Sequence, residues 1–218
     1  STDMSAAPLL EAREIAKSFS GVEVLHGVDL DLARGEVHAL LGENGAGKST
    51  FAKVLAGVHR PSRGSLVIDS QRIELASPLD ARRAGITLIH QEPVSFPDLS
   101  VAENIAVGRQ GAWLERFRWS AANLEAEAHL STLGVSIDVR APMRGLSIAD
   151  QQMVEIARAL AENSQLIIMD EPTAALTSRE SETLFGIVRR LREEGRTVVY
   201  ISHRLDEVRT LCDRASIF

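Results

Sequence analysis

The apolar residues of this chain switch repeatedly between a period of two and a period near 3.6, and each switch predicts a change of element. Residues 9–19 open the chain as β-structure, Ser20-Gly21 turns, and 22–25 and 28–32 alternate around Gly27. Arg34-Gly35 turns the chain into Glu36-Val37-His38-Ala39-Leu40-Leu41, a short apolar run of the kind that forms a buried strand. Residues 48–56 read as a helix with Gly57 closing it. Pro61-Ser62-Arg63-Gly64 is a turn, 65–68 a strand, 78–84 a short helix closed by Gly85, and 86–89 a further β run.

Between 98 and 162 the strand signal disappears. Ser100 and Glu103 are spaced as a capping box, 119–133 is a helix closed by Gly134, and 147–162 carries Met153, Ile156, Ala157 and Leu160 on one helical face. Residues 110–119 hold two tryptophans, Phe117 and several charges with no clear period, and 1–7 are small and polar. The β/α alternation then returns. Leu166-Ile167-Ile168-Met169 is a buried strand, 178–194 a helix with Leu184, Ile187, Val188 and Leu191 inward, 197–201 a strand and 205–211 a helix. Residues 215–218 begin another β run, inside which the chain ends, as expected of a piece of a longer protein. No internal repeat or low-complexity segment is visible.

One stretch between elements carries chemistry directly. Gly42-Glu43-Asn44-Gly45-Ala46-Gly47-Lys48-Ser49-Thr50 fits G-x-x-x-x-G-K-[ST], and it lies between a predicted strand and a predicted helix. Its glycines allow backbone N–H groups to converge on an anion, Lys48 reaches β- and γ-phosphates, and the Ser49 hydroxyl suits Mg²⁺. The helix that follows adds its partial positive charge. The fold class is therefore α/β: a P-loop NTPase core with an N-terminal antiparallel β-subdomain and an inserted α-helical subdomain. The expected division of the single 1–218 domain is 9–35 and 61–76 for the antiparallel part, 36–57, 77–97 and 163–218 for the core, and 98–162 for the helical insert.

Four further stretches bear on the nucleotide. Asp170-Glu171 follow the 166–169 strand, at the strand end where open α/β sheets bind ligands. Beside a P-loop, Asp170 supports the Mg²⁺ shell opposite Ser49 and Glu171 polarises an attacking water; alone, the two would be solvated acids. Ser147 precedes a helix; taken alone it reads as an ordinary N-cap, and the free N–H groups behind it also suit an anion site. His203, just past a buried strand, is either structural or a donor to a γ-phosphate oxygen. Gln91, after the 86–89 run, is either a polar loop residue or a ligand of Mg²⁺ or its water.

Bulk properties narrow the setting. The 218 residues suffice for one large domain with a sizeable core. The single cysteine, Cys212, excludes an internal disulfide, and no apolar run approaches the roughly 18 residues that span a bilayer. A net charge of −6 argues against a broad nucleic-acid or anionic-membrane surface.

In this order, the stretches resemble the ATP-binding cassette (ABC) ATPase family over nearly the whole chain. GENGAGKST is similar to its Walker A, QLIIMDE to its Walker B with catalytic Glu171, Gln91 to its Q-loop, His203 to its switch histidine, and LSIADQQMVEIARAL to its signature and following helix. Phe19 falls where the family stacks an aromatic on adenine. GENGAGKST, IHQEP, SVAENI, QQMVEIARAL and MDEPTAALT further resemble sugar importers of the ribose/xylose/galactose type, in which two cassettes are fused, and this chain resembles the N-terminal one. The resemblance implies two cassettes closing head to tail on two ATP molecules with Mg²⁺. Ser147 and Ala149 of the signature would touch the nucleotide in trans. It also implies an integral-membrane permease docked on the Gln91 loop and helical insert, a sugar-binding protein acting indirectly, no nucleic acid, and a peripheral place on the cytoplasmic face of the membrane. Two departures stand out: Ile148-Ala149-Asp150 replaces G-G-Q of the usual L-S-G-G-Q, and Thr177 stands where many cassettes have an aspartate. The altered signature keeps a weakly hydrolysing regulatory cassette as an alternative to an importer motor; a non-transport ABC ATPase is the other alternative, opposed by the net charge of −6 and the length of the insert.

Overall fold

The computed structural model describes residues 7–107 and 119–218. The polar opening and most of the aperiodic 110–119 stretch lie outside the described residues. In chain order the elements are β1 (Leu10–Phe19), β2 (Val22–Leu32), β3 (Val37–Leu41), α1 (Lys48–Leu55), β4 (Arg63–Ile68), β5 (Gln71–Ile73), α2 (Pro78–Arg83), β6 (Ile86–Ile89) and α3 (Val101–Ala106). There follow α4 (Trp119–Leu133), a 3-10 turn (Met143–Gly145), α5 (Ile148–Ala161), β7 (Leu166–Asp170), α6 (Ser178–Glu193), β8 (Thr197–Ile201), α7 (Leu205–Leu211) and β9 (Arg214–Ile217).

Two sheets result. The first is antiparallel with order β2-β1-β4-β5, and the second has order β6-β7-β8-β3-β9 with every neighbouring pair parallel. Two features of the antiparallel sheet differ from the sequence expectation. β2 is one strand and does not break at Gly27: Ile15 pairs with Val28 and Ala16 with His26, so Gly27, at φ +92°, is the extra residue of a bulge. β5 was not anticipated. It returns along β4 through Asp69-Ser70, with φ +50° and +63°, a two-residue hairpin turn that usually advertises itself with glycine. Gly64 is required where β4 meets β1, since a Cβ there would lie 2.6 Å from the carbonyl oxygens of Arg13 and Glu14.

The inner strands β7 and β8 are largely apolar on both faces because both faces are covered. Ile167, Met169, Val198 and Tyr200 join a core with α3, α4, α5 and α6, while Leu166, Ile168, Val199 and Ile201 face the other way, onto α1 and the antiparallel sheet. This period-two division makes β7 and β8 the shared wall of two cores. Each of their residues is buried, so truncating Ile168 or Met169 to alanine would cost about 2–5 kcal/mol.

The helices of the 98–162 region pack on one another through Val101, Ala102, Ile105, Ala126, Leu130, Leu133, Ile156 and Ala157. Asn104, wholly buried, ties the entry loop to α3: its Oδ1 accepts the Phe96 amide at 2.8 Å and its Nδ2 donates to the carbonyls of Phe96 (3.0 Å) and Ser100 (2.9 Å). Both expected capping boxes form, Ser100 with Glu103 and Thr177 with Glu180. Among the described residues no helix is long and apolar enough to cross a membrane.

Candidate functional site

Because β3, β6, β7 and β8 are parallel, their C-terminal ends open onto one edge of the sheet, and the chemistry-bearing residues follow those ends. β3 delivers the loop 42–47, β6 delivers His90 and Gln91, β7 delivers Asp170 and Glu171, and β8 delivers Ser202 and His203.

The 42–47 loop enters α1 through Gly47, at φ +96° with no side-chain cap, so the first amides of α1 are left to bind something other than their own cap. A side chain at Gly47 would be strained at this φ, and its Cβ would crowd Leu25 Cδ2 at 2.7 Å and the Val24 carbonyl oxygen at 3.1 Å. Lys48 is 5% exposed, and its ammonium donates to the carbonyls of Gly42 and Glu43, both at 2.8 Å. Two of its three donors therefore hold it over the loop. A cavity of about 290 Å³ lies against this loop, lined by Val24, Asn44, Gly45, Gly47, Lys48, Ser49, Thr50 and Glu171.

Ser49 Oγ donates to Asp170 Oδ1 at 3.1 Å, so two of the three predicted Mg²⁺-side groups meet across 121 residues of sequence. Burial pushes the Asp170 carboxyl above the ordinary carboxylate range; the Ser49 hydrogen bond opposes the shift and the neighbouring Glu171 charge adds to it. Glu171 takes φ +46°, an unfavourable backbone for a residue with a side chain, and its amide donates to Ile201 O at 3.0 Å. Its Oε1 lies 3.4 Å from His203 Nδ1. The chain thus joins the ends of β7 and β8 through one carboxylate and one imidazole.

Other expected residues lie further out. Gln91 is exposed beside His90, whose proton affinity is lowered by burial and by Lys53, with Asp170 opposing. Phe19 is half-exposed at the end of β1, edge-on to His59 at 5.1 Å and under the Lys17 ammonium at 5.0 Å; it is not among the residues lining the cavity. Ser147 caps α5 by accepting the Asp150 amide at 3.1 Å, and Ala149 lies in the first turn; neither lines the cavity.

The sequence reasoning missed three groups. Val24 walls the cavity from β2, with nothing in its surroundings in sequence to mark it. Glu155, on α5, accepts the Val94 amide at 2.8 Å and so binds the segment after Gln91 to the helix after the signature. Glu207 sits in a buried network behind His203. Both glutamates fall among buried positions of their helices, and an acid on an apolar face was the available signal.

A phosphate loop on an inner parallel strand, with a carboxylate pair two strands away and a hydroxyl from the first turn of α1 bonded to one of them, defines a P-loop nucleotide-binding protein. Residues 25–174 match the ABC transporter family, and the chain belongs to that family. It is 52% identical over 216 residues to the ribose import ATP-binding protein RbsA 1 of Streptomyces coelicolor, covering 99% of this chain and 43% of that protein. It is 51% identical to the ribose import ATP-binding protein RbsA of Rhodococcus jostii, covering 97% and 42%. The chain spans less than half the length of these curated relatives. Its fold matches the ADP conformation of an ATP-binding cassette of an ABC transporter with a TM-score of 0.85 at 27% identity, over 98% of this chain and 88% of that one. It matches a dimeric post-hydrolysis cassette bound to ADP and phosphate with a TM-score of 0.80 at 25% identity, over 96% and 94%.

Proposed function

We propose that the chain is an ATP-binding and ATP-hydrolysing cassette that powers sugar import, as the N-terminal one of two cassettes in a longer protein. The observation that carries this reading is the convergence of Lys48, Ser49, Asp170, Glu171 and His203 at one edge of the parallel sheet. The names and lengths of the ribose-import relatives support the tandem importer.

The residues fit ATP with Mg²⁺. The uncapped N-terminus of α1 and the Lys48 ammonium suit the phosphates. Among the described residues no group of three or more His, Cys, Asp or Glu could hold a metal unaided. Mg²⁺ is usually bound by one or two protein oxygens together with phosphates and water, and Ser49 Oγ and Asp170 Oδ1, 3.1 Å apart, are two such oxygens. Ser49, Asp170 and Gln91 would hold it, and when bound it would neutralise charge developing on the β- and γ-phosphates. Glu171 orients the attacking water, and His203 keeps that carboxylate in place and donates to the γ-phosphate. Phe19 stacks on adenine, and Ser147 with the Ala149 amide completes the site of the opposite cassette. A permease receives the motion, a sugar-binding protein acts upstream of it, nucleic acid has no part, and the cassette works on the cytoplasmic face of the membrane.

Glu171→Gln should lower ATP turnover about 10²-fold or more and trap an ATP-dependent dimer in light scattering. Turnover by the variant at the wild-type rate would refute the assignment of Glu171. A second reading is favoured by one feature, Ala149 in the signature, whose methyl crowds a backbone that must approach a phosphate. On that reading the wild-type chain binds ATP and scarcely turns it over.

A further inference from the structure

Glu207 has no place in the nucleotide chemistry just described, yet it is 1% exposed and is the acceptor for four donors from two segments, Thr173 after β7 and the run 200–204. Its Oε1 accepts from Thr173 Oγ1 at 2.8 Å and lies 2.9 Å from Arg204 Nη1. Its Oε2 accepts from Tyr200 Oη at 2.9 Å and Ser202 Oγ at 3.0 Å. Ser202 in turn accepts the Arg204 amide at 3.0 Å. Burial, with Glu207 beside it, pushes the Tyr200 phenol well up, so that hydroxyl acts as a donor.

The placement of these partners in the chain is informative. Thr173 follows Glu171 by two residues, and Ser202 and Arg204 flank His203 on either side. A single carboxylate therefore grips the segment behind one member of the Glu171–His203 pair with one oxygen, and the segment bearing the other member with both. Neither loop has a regular ladder to hold it there. The strained backbone of Glu171 needs surroundings that over-determine it, and the 3.4 Å separation from His203 depends on both loops keeping their places.

We propose that Glu207 is a positioning residue for hydrolysis, tying the loop that carries His203 to the loop that follows Glu171. The proposal rests on the reading of that pair given above. It distinguishes Glu207 from a merely structural acid by requiring that its effect pass through His203.

Thr173→Val removes one donor while keeping the side-chain shape, and Glu207→Gln keeps the shape but not the acceptor set. Each should lower kcat for ATP about tenfold and leave KM within about twofold, as expected when geometry and not binding is lost. In a His203→Ala background, Thr173→Val should have no further effect on kcat, because coupled residues are not additive. The readout independent of turnover is the imidazole Cε1–H resonance of His203 in the nucleotide-free chain, identified among six histidines by its loss in His203→Ala. It should move in both variants, in Thr173→Val with a urea midpoint near wild type and in Glu207→Gln alongside some loss of stability, since an amide leaves buried donors unmatched. The proposal is overturned if the resonance stays in place, or if Thr173→Val costs the same factor with and without His203. Equal turnover by wild type and Glu171→Gln would count against the hydrolytic reading alone, since the resonance still reports the tether.

Discussion

At the scale of single residues, the molecule encloses acids that play different parts. Asp170 meets a hydroxyl and Glu207 meets four donors, but Glu155 meets only the Val94 amide and, at 3.3 Å, Arg158; its Oε2 has no partner among the described residues. Burial pushes the Glu155 carboxyl up from 4.5 to about 7 against the pull of Arg158 and the Val94 amide. A carboxyl whose pKa rises on folding binds more protons in the folded state, so stability falls as pH rises from the unfolded value through the folded one. The loss is complete above about pH 7 and amounts to about 3 kcal/mol for such a shift. Glu155→Gln keeps an acceptor for Val94 without a charge. Its thermal midpoint should exceed wild type at pH 8 and match it near pH 4.5, and an equal difference at both pH values would show that titration is not the cause. Nothing local in the sequence distinguishes these acids, because what sets them apart is the number of donors that distant segments bring.

At the scale of elements, legibility followed the range of the interaction. The capping boxes of α3 and α6 were readable because Ser100–Glu103 and Thr177–Glu180 act over three residues. The strands β3, β7 and β8 were readable because burial on both faces leaves a nearly continuous apolar run, broken in β3 only by His38. The bulge at Gly27 and the short β5 were not, since both are defined by a partner strand. Gly64 shows what such a partner demands. Gly64→Ala should destabilise by about 2–3 kcal/mol, because the new Cβ meets two carbonyl oxygens at a φ of +103°. Gly27→Ala should cost about 1 kcal/mol, since at φ +92° its nearest neighbour is Arg63 Nη2 at 3.8 Å. Urea denaturation of the two variants checks the order, and equal midpoints would contradict it.

At the scale of the whole molecule, the nucleotide edge is assembled from strand ends far apart in sequence, so a ligand there should stabilise the entire fold. At one hundred times its dissociation constant, ATP with Mg²⁺ should contribute about 2.7 kcal/mol and raise the thermal midpoint by about 5–10 °C. Lys48→Ala should abolish the shift, and a shift that survives would place the ligand elsewhere. The sequence by itself determined the α/β class, the phosphate loop and the acids at the end of β7, because each resides in a contiguous run whose residue types suffice for its physics; the family was legible as a resemblance, in the order of several such runs. Only the tertiary structure decided which of those residues meet. Ser49 bonds to Asp170 and Glu171 lies beside His203 because β3 and β7 flank β8 in a parallel sheet, an order that no local run encodes. Only the fold, too, enclosed Glu207 behind the pair, since a buried acid is recognisable by its partners and those partners arrive from other strands.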